Sequence, residues 1–385
     1  MNNFIFFNPT KVIFGAGELN RLGEEASKYG KKALVIKTTG PIQKSGIFER
    51  ATKILNAAGM KVYFLDDVTP NPKFSKLKEG VNICREEGID IVIGIGGGTA
   101  IDLAKGLAWG ALAEGDLWDY FIRKRVATKS LPIGAVSTLL GTGAEMNVNC
   151  TITNEETKEK FGVHYPVSFP KFAIIDPELQ LTLPRKLTAG GMADIISHVL
   201  EGYFDGCEDT PLQDRIAEGI ILTVLENEKI LDYPNDIVAR GNIAWASTLA
   251  INGINDAGRG GKDWDAHTIE HEVSAKYDVR HGEGMAVVHI AWLYYLCKKD
   301  PKKFVHFAER IFGIQKTSGQ TDLSVGIKGI DVLKEKFRSW GLPITLRELG
   351  VEQGILPLLA KDASKNPEGG KLDPDIVLEV LKSCY

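Results

Sequence analysis

The stretch that decides the fold is IDIVIGIGGGTAIDLAKGLA, residues 89–108. A buried β-branched strand ends in Gly96, Gly97 and Gly98, and a helical pattern begins at about Thr99. Glycines let the backbone approach a ligand closely, and the amide groups and positive dipole end of the following helix attract phosphate. The turn therefore suits a pyrophosphate, with a ligand-free strand-to-helix turn as the alternative.

The usual dinucleotide fingerprint, GxGxxG, is not matched by this stretch. Thr99 stands where the third glycine belongs, and the motif follows a late strand of the pattern instead of the first. The sequence therefore does not predict an ordinary Rossmann start.

Hydrophobic patterns on both sides of this turn alternate between strands and helices. Short β-branched runs predict buried strands, and the amphipathic stretches between them predict helices. That order predicts a mostly parallel sheet with right-handed crossovers and helices on both faces. The predicted strands cover residues 32–39, 61–67, 90–98 and 131–138, with a further strand within 172–184, and the predicted helices lie near 45–59, 74–88 and 99–112.

A second polar turn, STLLGTGAEMN at residues 137–147, follows another predicted strand and offers Thr138, Thr142 and Gly143. Because the carboxyl ends of parallel strands meet at one edge of a sheet, this turn should lie beside the glycine run. Taken alone, such a cluster is more often a plain loop.

After Pro184 the 3.6-residue periodicity of helices dominates to the end of the sequence. We therefore expect an α/β domain over residues 1–185 and an all-helical domain over residues 186–385. The cleft between them is the expected small-molecule site.

Composition excludes several classes of partner. The sequence has 50 acidic and 46 basic residues, a net charge of −4, so no global positive field recruits nucleic acid or an anionic membrane. The longest apolar run, residues 285–297, is too short for a membrane span, and the N-terminus lacks a secretion-signal pattern. Five cysteines without a CxxC pair fit a reducing compartment, so we expect a cytoplasmic protein.

A carboxylate and several imidazoles recur at helical spacing in the second half. In GMADIISHVLEGYFD, Asp194 and His198 are four residues apart, and so are His267 and His271 further along. Each pair projects from one helical face, a spacing that suits two ligands of one metal ion. A single pair is more often explained by a satisfied core histidine, but two pairs together with His281 favour a metal site.

His267 and His281 lie 14 residues apart, which is about 21 Å along an unbroken helix and too far for one ion. Asp278 and the glycines that follow His281 allow one helix to end and a second to begin near His281. One aspartate and up to three neutral imidazoles suit Fe²⁺ or Zn²⁺ better than Mg²⁺ or Ca²⁺. Spacing alone leaves His267 and His271 as equal candidates for the third ligand.

Several motifs, in this order, resemble the iron-containing (type III) alcohol dehydrogenase family, and its butanol dehydrogenase-like branch most of all. They are GIGGGTAID, TLLGTGAE, IIDPEL, GGMADIISHVLE and DWDAHTIEHEVSAKYDVRHGEGMAVV, and the likeness covers most of the chain. The resemblance implies a dinucleotide-binding α/β domain, an all-α C-terminal domain and a divalent metal in the cleft, a fold shared with dehydroquinate synthase. It also implies a homodimer.

The resemblance implies roles for individual residues. The metal ligands of the family correspond to Asp194, His198, His267 and His281. His271 matches a family histidine beside the active site, which we interpret as a proton relay. The remaining residues that it implies contact the cofactor: Gly97, Gly98 and Thr99 at the pyrophosphate, Asp102 near the nicotinamide, and Thr39, Gly40, Asn71, Thr138, Thr142, Lys160 and Leu179 elsewhere.

The residues that follow the second strand indicate whether NADP(H) or NAD(H) is preferred. NAD-preferring relatives tend to carry an aspartate there, which bonds the ribose hydroxyls and repels a 2′-phosphate. Here the segment is IKTTGP, with Thr38, Thr39 and Gly40 and no acidic residue. We therefore expect NADP(H) to be preferred over NAD(H).

Together these features predict a metal-dependent alcohol dehydrogenase or aldehyde reductase that acts on a small alcohol or aldehyde. Reversible hydride transfer to or from nicotinamide needs a positioned ring and a polarised substrate oxygen, and no covalent nucleophile. Two alternatives stay open. One is a glycerol dehydrogenase- or dehydroquinate synthase-like enzyme on the same scaffold, although the synthase's highly basic phosphate site is not found. The other is a non-catalytic nucleotide-binding protein.

Overall fold

The computed structural model describes residues 1–260, 264–367 and 371–385. Strands occur only in the first half of the described chain, where β-branched residues are concentrated. They are β1 Lys11–Phe14, β2 Lys32–Thr38, β3 Lys61–Val68, β4 Ile91–Gly96, β5 Ile133–Ser137, β6 Asn149–Asn154, β7 Glu159–His164 and β8 Phe172–Ile175.

Helices separate these strands and then make up the second half of the chain. Those of the first half are α1 Leu22–Ala26, α2 Ile47–Ala57, α3 Phe74–Glu87, α4 Gly98–Gly110 and α5 Trp118–Phe121. Those of the second half are α6 Arg185–Tyr203, α7 Pro211–Glu226, α8 Ile237–Ala250, α9 Asp265–Tyr277, α10 His281–Lys299, α11 Lys302–Phe312, α12 Asp322–Ser339, α13 Leu356–Ala363 and α14 Pro374–Ser383.

Six strands form one parallel sheet in the order β1-β8-β5-β4-β2-β3. Alternate residues of β2 enter two separate cores. Leu34 and Ile36 pack with α3 and α4, whereas Ala33 and Val35 pack with α1 and α2. Helices therefore cover both faces of the sheet, which explains why the strands read as continuous apolar runs. The expected mostly parallel sheet is confirmed.

Three strands lie outside the predicted set. β1 pairs with β8 at one edge of the sheet, where only one of its four residues is buried. β6 and β7 form an antiparallel hairpin apart from the main sheet. KVIF is only four residues long, and NCTITN and EKFGVH are rich in polar residues, so these segments give a weaker hydrophobic signal than the buried central strands.

The second half is helical, as its periodicity predicted, and within the described residues no strand follows Ile175. The chain enters α6 at Arg185, directly after Pro184. The division of the chain into residues 1–185 and 186–385 stays a prediction. In the part of the chain that is described, no helix combines the length and the apolar character that crossing a membrane requires.

α6 runs through the centre of the helical half and is enclosed by other helices. Asp194 and His198 lie there among Ile195, Ile196 and Val199, and all five side chains are buried. Burying a carboxylate and an imidazole is costly unless each finds a partner. Asp194 and His198 therefore need polar or charged partners inside an otherwise apolar environment.

Candidate metal and dinucleotide site

Three helices bring the four predicted metal ligands together. α6 carries Asp194 and His198, α9 carries His267, and His281 is the first residue of α10. One candidate ligand atom from each residue lies within 4.8 Å of the other three. Asp194 Oδ1 is 3.4 Å from His281 Nε2 and 3.8 Å from His198 Nε2. We call these four residues the histidine–aspartate cluster.

A break between α9 and α10 allows His281 to reach this cluster. α9 ends at Tyr277, and Asp278 adopts a left-handed backbone with φ 51°. Aspartate tolerates this conformation better than most residues. The glycines at 282 and 284 lie inside α10, so they do not make the break to which the sequence pattern assigned them. Their role is in helix packing, because a Cβ atom at Gly284 would lie 2.5 Å from Glu270 Oε1.

The histidine–aspartate cluster has the chemistry of a divalent metal site. Asp194 Oδ1 and His267 Nε2 are buried and have no hydrogen-bond partner among the described residues. Such orphaned atoms are costly, and one shared cation would satisfy both. Burial, together with the neighbouring histidines, holds the pKa of His267 well below its usual range, so its ring is neutral and can offer a lone pair. These residues therefore fit Fe²⁺ or Zn²⁺.

Two glutamates whose side chains are at most 5% exposed, and which the sequence pattern did not single out, contact rings of the cluster. Glu201 Oε1 lies 2.8 Å from Nδ1 of His267. Glu270 Oε2 forms a hydrogen bond with Nδ1 of His281. A signal was present in the sequence, because Glu201 follows His198 by three residues and Glu270 follows His267 by three, which places each on the face of its helix that carries a ligand.

The charges around Glu270 shift the pKa values of both partners. Burial raises the pKa of Glu270, but the charges of His281 and Lys160 outweigh burial and lower this pKa to about 2. Burial lowers the pKa of His281, and the charges of Glu270 and Asp194 outweigh it, so that this pKa is raised. Glu270 is therefore an anion at neutral pH.

His271 lies one helical turn after His267 and is not part of the four-residue cluster. Its ring centroid is 5.6 Å from that of His281, and its side chain lines the same cavity as Thr99 and Asp102. His271 therefore borders both the cluster and the cavity that the predicted cofactor residues line. Its role in proton transfer stays a prediction.

Two adjoining cavities run from the carboxyl ends of the central strands to the cluster. Both are lined by Asn71, Gly98, Thr99, Thr142 and His281. Four further predicted cofactor residues, Thr39, Gly40, Gly97 and Thr138, line the cavity at the sheet edge, and two, Asp102 and Lys160, line the cavity in the cleft.

Leu179 is the one predicted cofactor residue that lines neither cavity. It is buried in the core beneath the sheet, together with Ile95 and Ile174. Lys160, by contrast, crosses from β7 to the helical half, where its Nζ donates to Ser274 Oγ at 2.8 Å and lies 3.8 Å from Glu270 Oε2. The cavity walls therefore come from both halves of the chain.

Close packing explains the glycine at the start of α4. A Cβ atom on Gly98 would lie 2.8 Å from Thr142 Cγ2, a distance that forces one of the two to move. The glycine turn and the STLLGTG turn, which follow adjacent strands β4 and β5, are thus in contact. Gly98 and Thr99, the first residues of α4, line the cavity, and the amide groups of a helix N-terminus are donors for a phosphate.

Trp264 forms an apolar wall beside the cluster. It precedes α9 in a left-handed conformation, φ 53°, which is unusual for a bulky residue. Its ring meets those of His198 and His267 edge-on, with centroids 6.0 and 5.0 Å apart. Together with Ile251 it lines the cavity that also contains His271. Backbone strain of this kind tends to occur at functional sites.

A histidine–aspartate cluster that opens onto a cavity at the carboxyl edge of a parallel sheet is typical of a metal-dependent dehydrogenase. The family model for iron-containing alcohol dehydrogenases matches residues 9–177, and the model for the C-terminal part of the Fe-containing alcohol dehydrogenase family matches residues 188–383. The chain belongs to the iron-containing alcohol dehydrogenase family. This confirms the resemblance found in the sequence.

Named relatives agree with this assignment. The chain is 41% identical to NADH-dependent butanol dehydrogenase A of Clostridium acetobutylicum, and the match covers 100% of both chains. It is 31% identical to NADPH-dependent aldehyde reductase YqhD of Escherichia coli, over 100% of this chain and 99% of the relative. The crystal structure of NADH-dependent butanol dehydrogenase A from Thermotoga maritima superposes with a TM-score of 0.95 at 39% identity, covering 100% of this chain and 99% of that one.

The names of the relatives bear on the choice of cofactor. The relative at 41% identity is named as NADH-dependent, whereas the one named as NADPH-dependent is 31% identical. The neutral IKTTGP segment predicts a preference for NADP(H). The name of the 41% identical relative does not support that preference.

Proposed function

We propose that this protein catalyses reversible hydride transfer between a primary alcohol or its aldehyde and a nicotinamide dinucleotide, with one Fe²⁺ or Zn²⁺ ion bound by the histidine–aspartate cluster. The observation that carries the proposal is the convergence of that cluster, with its orphaned Asp194 Oδ1 and His267 Nε2, on the cavity that the glycine turn lines. When bound, the ion supplies Lewis acidity to the substrate oxygen.

The glycine turn and the polar turn after β5 hold the dinucleotide in this proposal. The N-terminal amides of α4, at Gly98 and Thr99, take the pyrophosphate, and Thr138 and Thr142 add hydroxyl groups beside it. Asp102 lines the same cavity as His271 and accepts a hydrogen bond from Thr151 N at 3.1 Å, which fixes its orientation. The two halves of the chain thus hold the ring against the substrate carbon.

Proton transfer is assigned to His271 in this proposal. Oxidation of an alcohol releases a proton and reduction of an aldehyde takes one up, so the site needs a group that exchanges protons with solvent. His271 lines the cavity that the cluster shares with the cofactor residues, and its ring packs beside His281. Trp264 and Ile251 supply the apolar wall that limits water around the reacting carbon.

For the cofactor we propose a site that accepts both NADH and NADPH. The cavity after β2 is lined by Thr38, Thr39, Gly40, Pro41 and Ile42. None of these residues is acidic, so nothing in this segment repels a 2′-phosphate. The name of the 41% identical relative, on the other hand, argues for NADH. We expect the two kcat/KM values to differ by no more than about tenfold, which corresponds to about 1.4 kcal/mol.

The test is an initial-rate measurement at the nicotinamide absorbance band with butanal. Metal-stripped protein is assayed with NADH and with NADPH, before and after addition of Fe²⁺ or Zn²⁺. Oxidation of either cofactor that appears only after metal is added supports the proposal. Full activity in the stripped protein, or none with any metal and cofactor, would overturn it and favour the synthase-like or non-catalytic alternative.

Two features of organisation belong to the same proposal. We assign the dinucleotide site mainly to residues 1–185 and the metal and substrate site mainly to residues 186–385. We also propose a homodimer, which the molar mass in solution tests directly.

A further inference from the structure

We propose that Glu201 and Glu270 are positioning residues of the metal site, each fixing one histidine ring so that its Nε2 atom faces the ion. This inference rests on the proposed function, because it assigns these glutamates to the same metal. It extends that function by naming two side chains that line neither of the two cavities and by stating what they do.

Glu201 holds His267 at two points. Its Oε1 accepts from the backbone N–H of His267 at 3.1 Å and lies 2.8 Å from Nδ1 of the same residue. The Glu201 side chain is 5% exposed, so the contact is shielded from water. With Nδ1–H donating to a carboxylate, the lone pair of the ring is on Nε2, a buried atom that has no hydrogen-bond partner in the part of the chain that the structure describes.

Glu270 holds His281 in the same way. Its side chain is fully buried, and its Oε2 accepts from Nδ1 of His281, so that Nε2 points towards Asp194 Oδ1 at 3.4 Å. Lys160 Nζ, 3.8 Å from Glu270 Oε2, offsets part of the buried charge. A buried carboxylate is tolerable only with partners of this kind.

The two contacts connect the three helices of the site in series. α6 carries Glu201, which holds a ring on α9, and α9 carries Glu270, which holds a ring on α10. A carboxylate bonded to the far nitrogen of a histidine ligand fixes the tautomer and raises the basicity of the coordinating nitrogen. The arrangement therefore sets both the geometry and the electron-donor strength of His267 and His281.

A purely structural role for the glutamates predicts a different result. If they only joined helices, their replacement would lower the stability of the metal-free protein and leave its intrinsic metal affinity unchanged. Glutamine separates the two roles, because its side-chain oxygen still accepts from Nδ1–H while the negative charge is lost. Metal affinity and metal-free stability must therefore be measured on the same variants.

The experiment titrates metal-free Glu201→Gln and Glu270→Gln with Zn²⁺ against a chromophoric chelator, and records the visible spectrum of the Co²⁺ forms. Loss of such an outer partner typically weakens metal binding about 10- to 100-fold, and we expect that range for each variant. The Co²⁺ bands should shift, since the donor strength of the ligands changes. Thermal unfolding of the metal-free proteins shows whether the helices still pack.

Glu272→Gln is the matched control. Glu272 lies on α9 beside His271, has a side chain as little exposed as those of the two positioning glutamates, and is paired with Lys276 at 3.0 Å. Because its partner is a lysine and not a ring of the cluster, we expect Zn²⁺ affinity within about threefold of the unmodified protein. If a glutamine variant fails to fold, the aspartate variant at the same position is measured instead. Aspartate keeps the charge but is too short to reach the ring, so the same loss of Zn²⁺ affinity is expected.

The outcomes separate this inference from the function on which it rests. Glutamine variants that bind Zn²⁺ as tightly as the unmodified protein, or a Glu272→Gln variant that loses as much affinity as they do, would overturn the inference alone. Unmodified protein that takes up neither Zn²⁺ nor Fe²⁺ would overturn the proposed function and the inference with it.

Discussion

Gly190 of α6 and Gly282 of α10 are in direct backbone contact. A Cβ atom on Gly282 would overlap the carbonyl group of Gly190, so neither helix could approach the other as closely if residue 282 had a side chain. Asp194 lies one turn after Gly190, and His281 immediately precedes Gly282. This contact therefore holds the two helices close together where Asp194 Oδ1 and His281 Nε2 lie 3.4 Å apart.

Replacing Gly282 by alanine should disrupt the metal site without touching a ligand. The added methyl group must push α6 and α10 apart, since the atoms it meets belong to backbone, and such overpacking typically costs about 1–3 kcal/mol. We expect Zn²⁺ affinity to fall at least about tenfold, together with the unfolding temperature. Gly219→Ala on α7 is the control, because a Cβ atom there meets nothing within 4 Å. Equal Zn²⁺ affinity in both variants would contradict the role of the contact.

His267→Ala should lose metal and turnover together. It removes one of four candidate ligand atoms and leaves Glu201 without its ring partner. We expect metal affinity to fall more than about a hundredfold, beyond the effect of losing an outer partner, and kcat/KM to fall about a thousandfold. Metal content by elemental analysis and initial rates measure both. The control is His306→Ala, because His306 is an exposed residue of α11. A His267→Ala protein that retains metal and activity would contradict the ligand assignment.

His271→Ala should keep its metal and turn over more slowly. Because His271 is outside the four-residue cluster, metal content should equal that of the unmodified protein. Loss of a proton-transfer group typically lowers the rate about a hundredfold, and the pH dependence of kcat should change shape. The measurement is kcat from pH 5 to 10 at saturating cofactor. An unchanged profile would remove the relay role.

Gly98→Ala should weaken cofactor binding in particular. The new methyl group meets Thr142 Cγ2 at 2.8 Å, and both residues line the cavity proposed for the dinucleotide. We expect the KM for NADH to rise about tenfold, equivalent to about 1.4 kcal/mol, while Zn²⁺ affinity stays unchanged. The Gly219→Ala protein again serves as the reference. A KM within error of that reference would argue against dinucleotide binding at this turn.

Acid should destabilise the metal-free protein before its carboxylates titrate. Burial lowers the pKa of His289, and it lowers the pKa of His267 well below the usual range. In the unfolded chain both histidines take up a proton near the ordinary pKa of 6.5. Below that pH the unfolded state binds more protons, so the free energy of unfolding falls as pH falls from 6.5. Denaturant unfolding between pH 6.5 and 5 measures the slope. His289→Gln should flatten it and the exposed-site variant His306→Gln should not; identical slopes would contradict this origin.

The main features of the fold could be read from the sequence because they are local. Continuous apolar runs identified the central strands β2, β4 and β5, and glycines before a helical pattern identified the turn at Gly98. The segments that were missed, such as β1 and the hairpin of β6 and β7, are half exposed or polar. Their pairing depends on contacts with distant strands, which a local pattern does not encode.

The candidate site divides along the same line. Sequence by itself determined that Asp194 shares a helical face with His198, and His267 with His271, because the helical repeat fixes which residues point the same way. Only the tertiary structure decided what each face meets. The way α9 packs against α6 and α10 places His267 and not His271 in the cluster, and the left-handed turn at Asp278 turns the chain so that His281 joins it. The physical reason is that a helix's periodicity orients its side chains about its own axis, whereas the partners of those side chains depend on how separate helices pack, down to a glycine contact between α6 and α10.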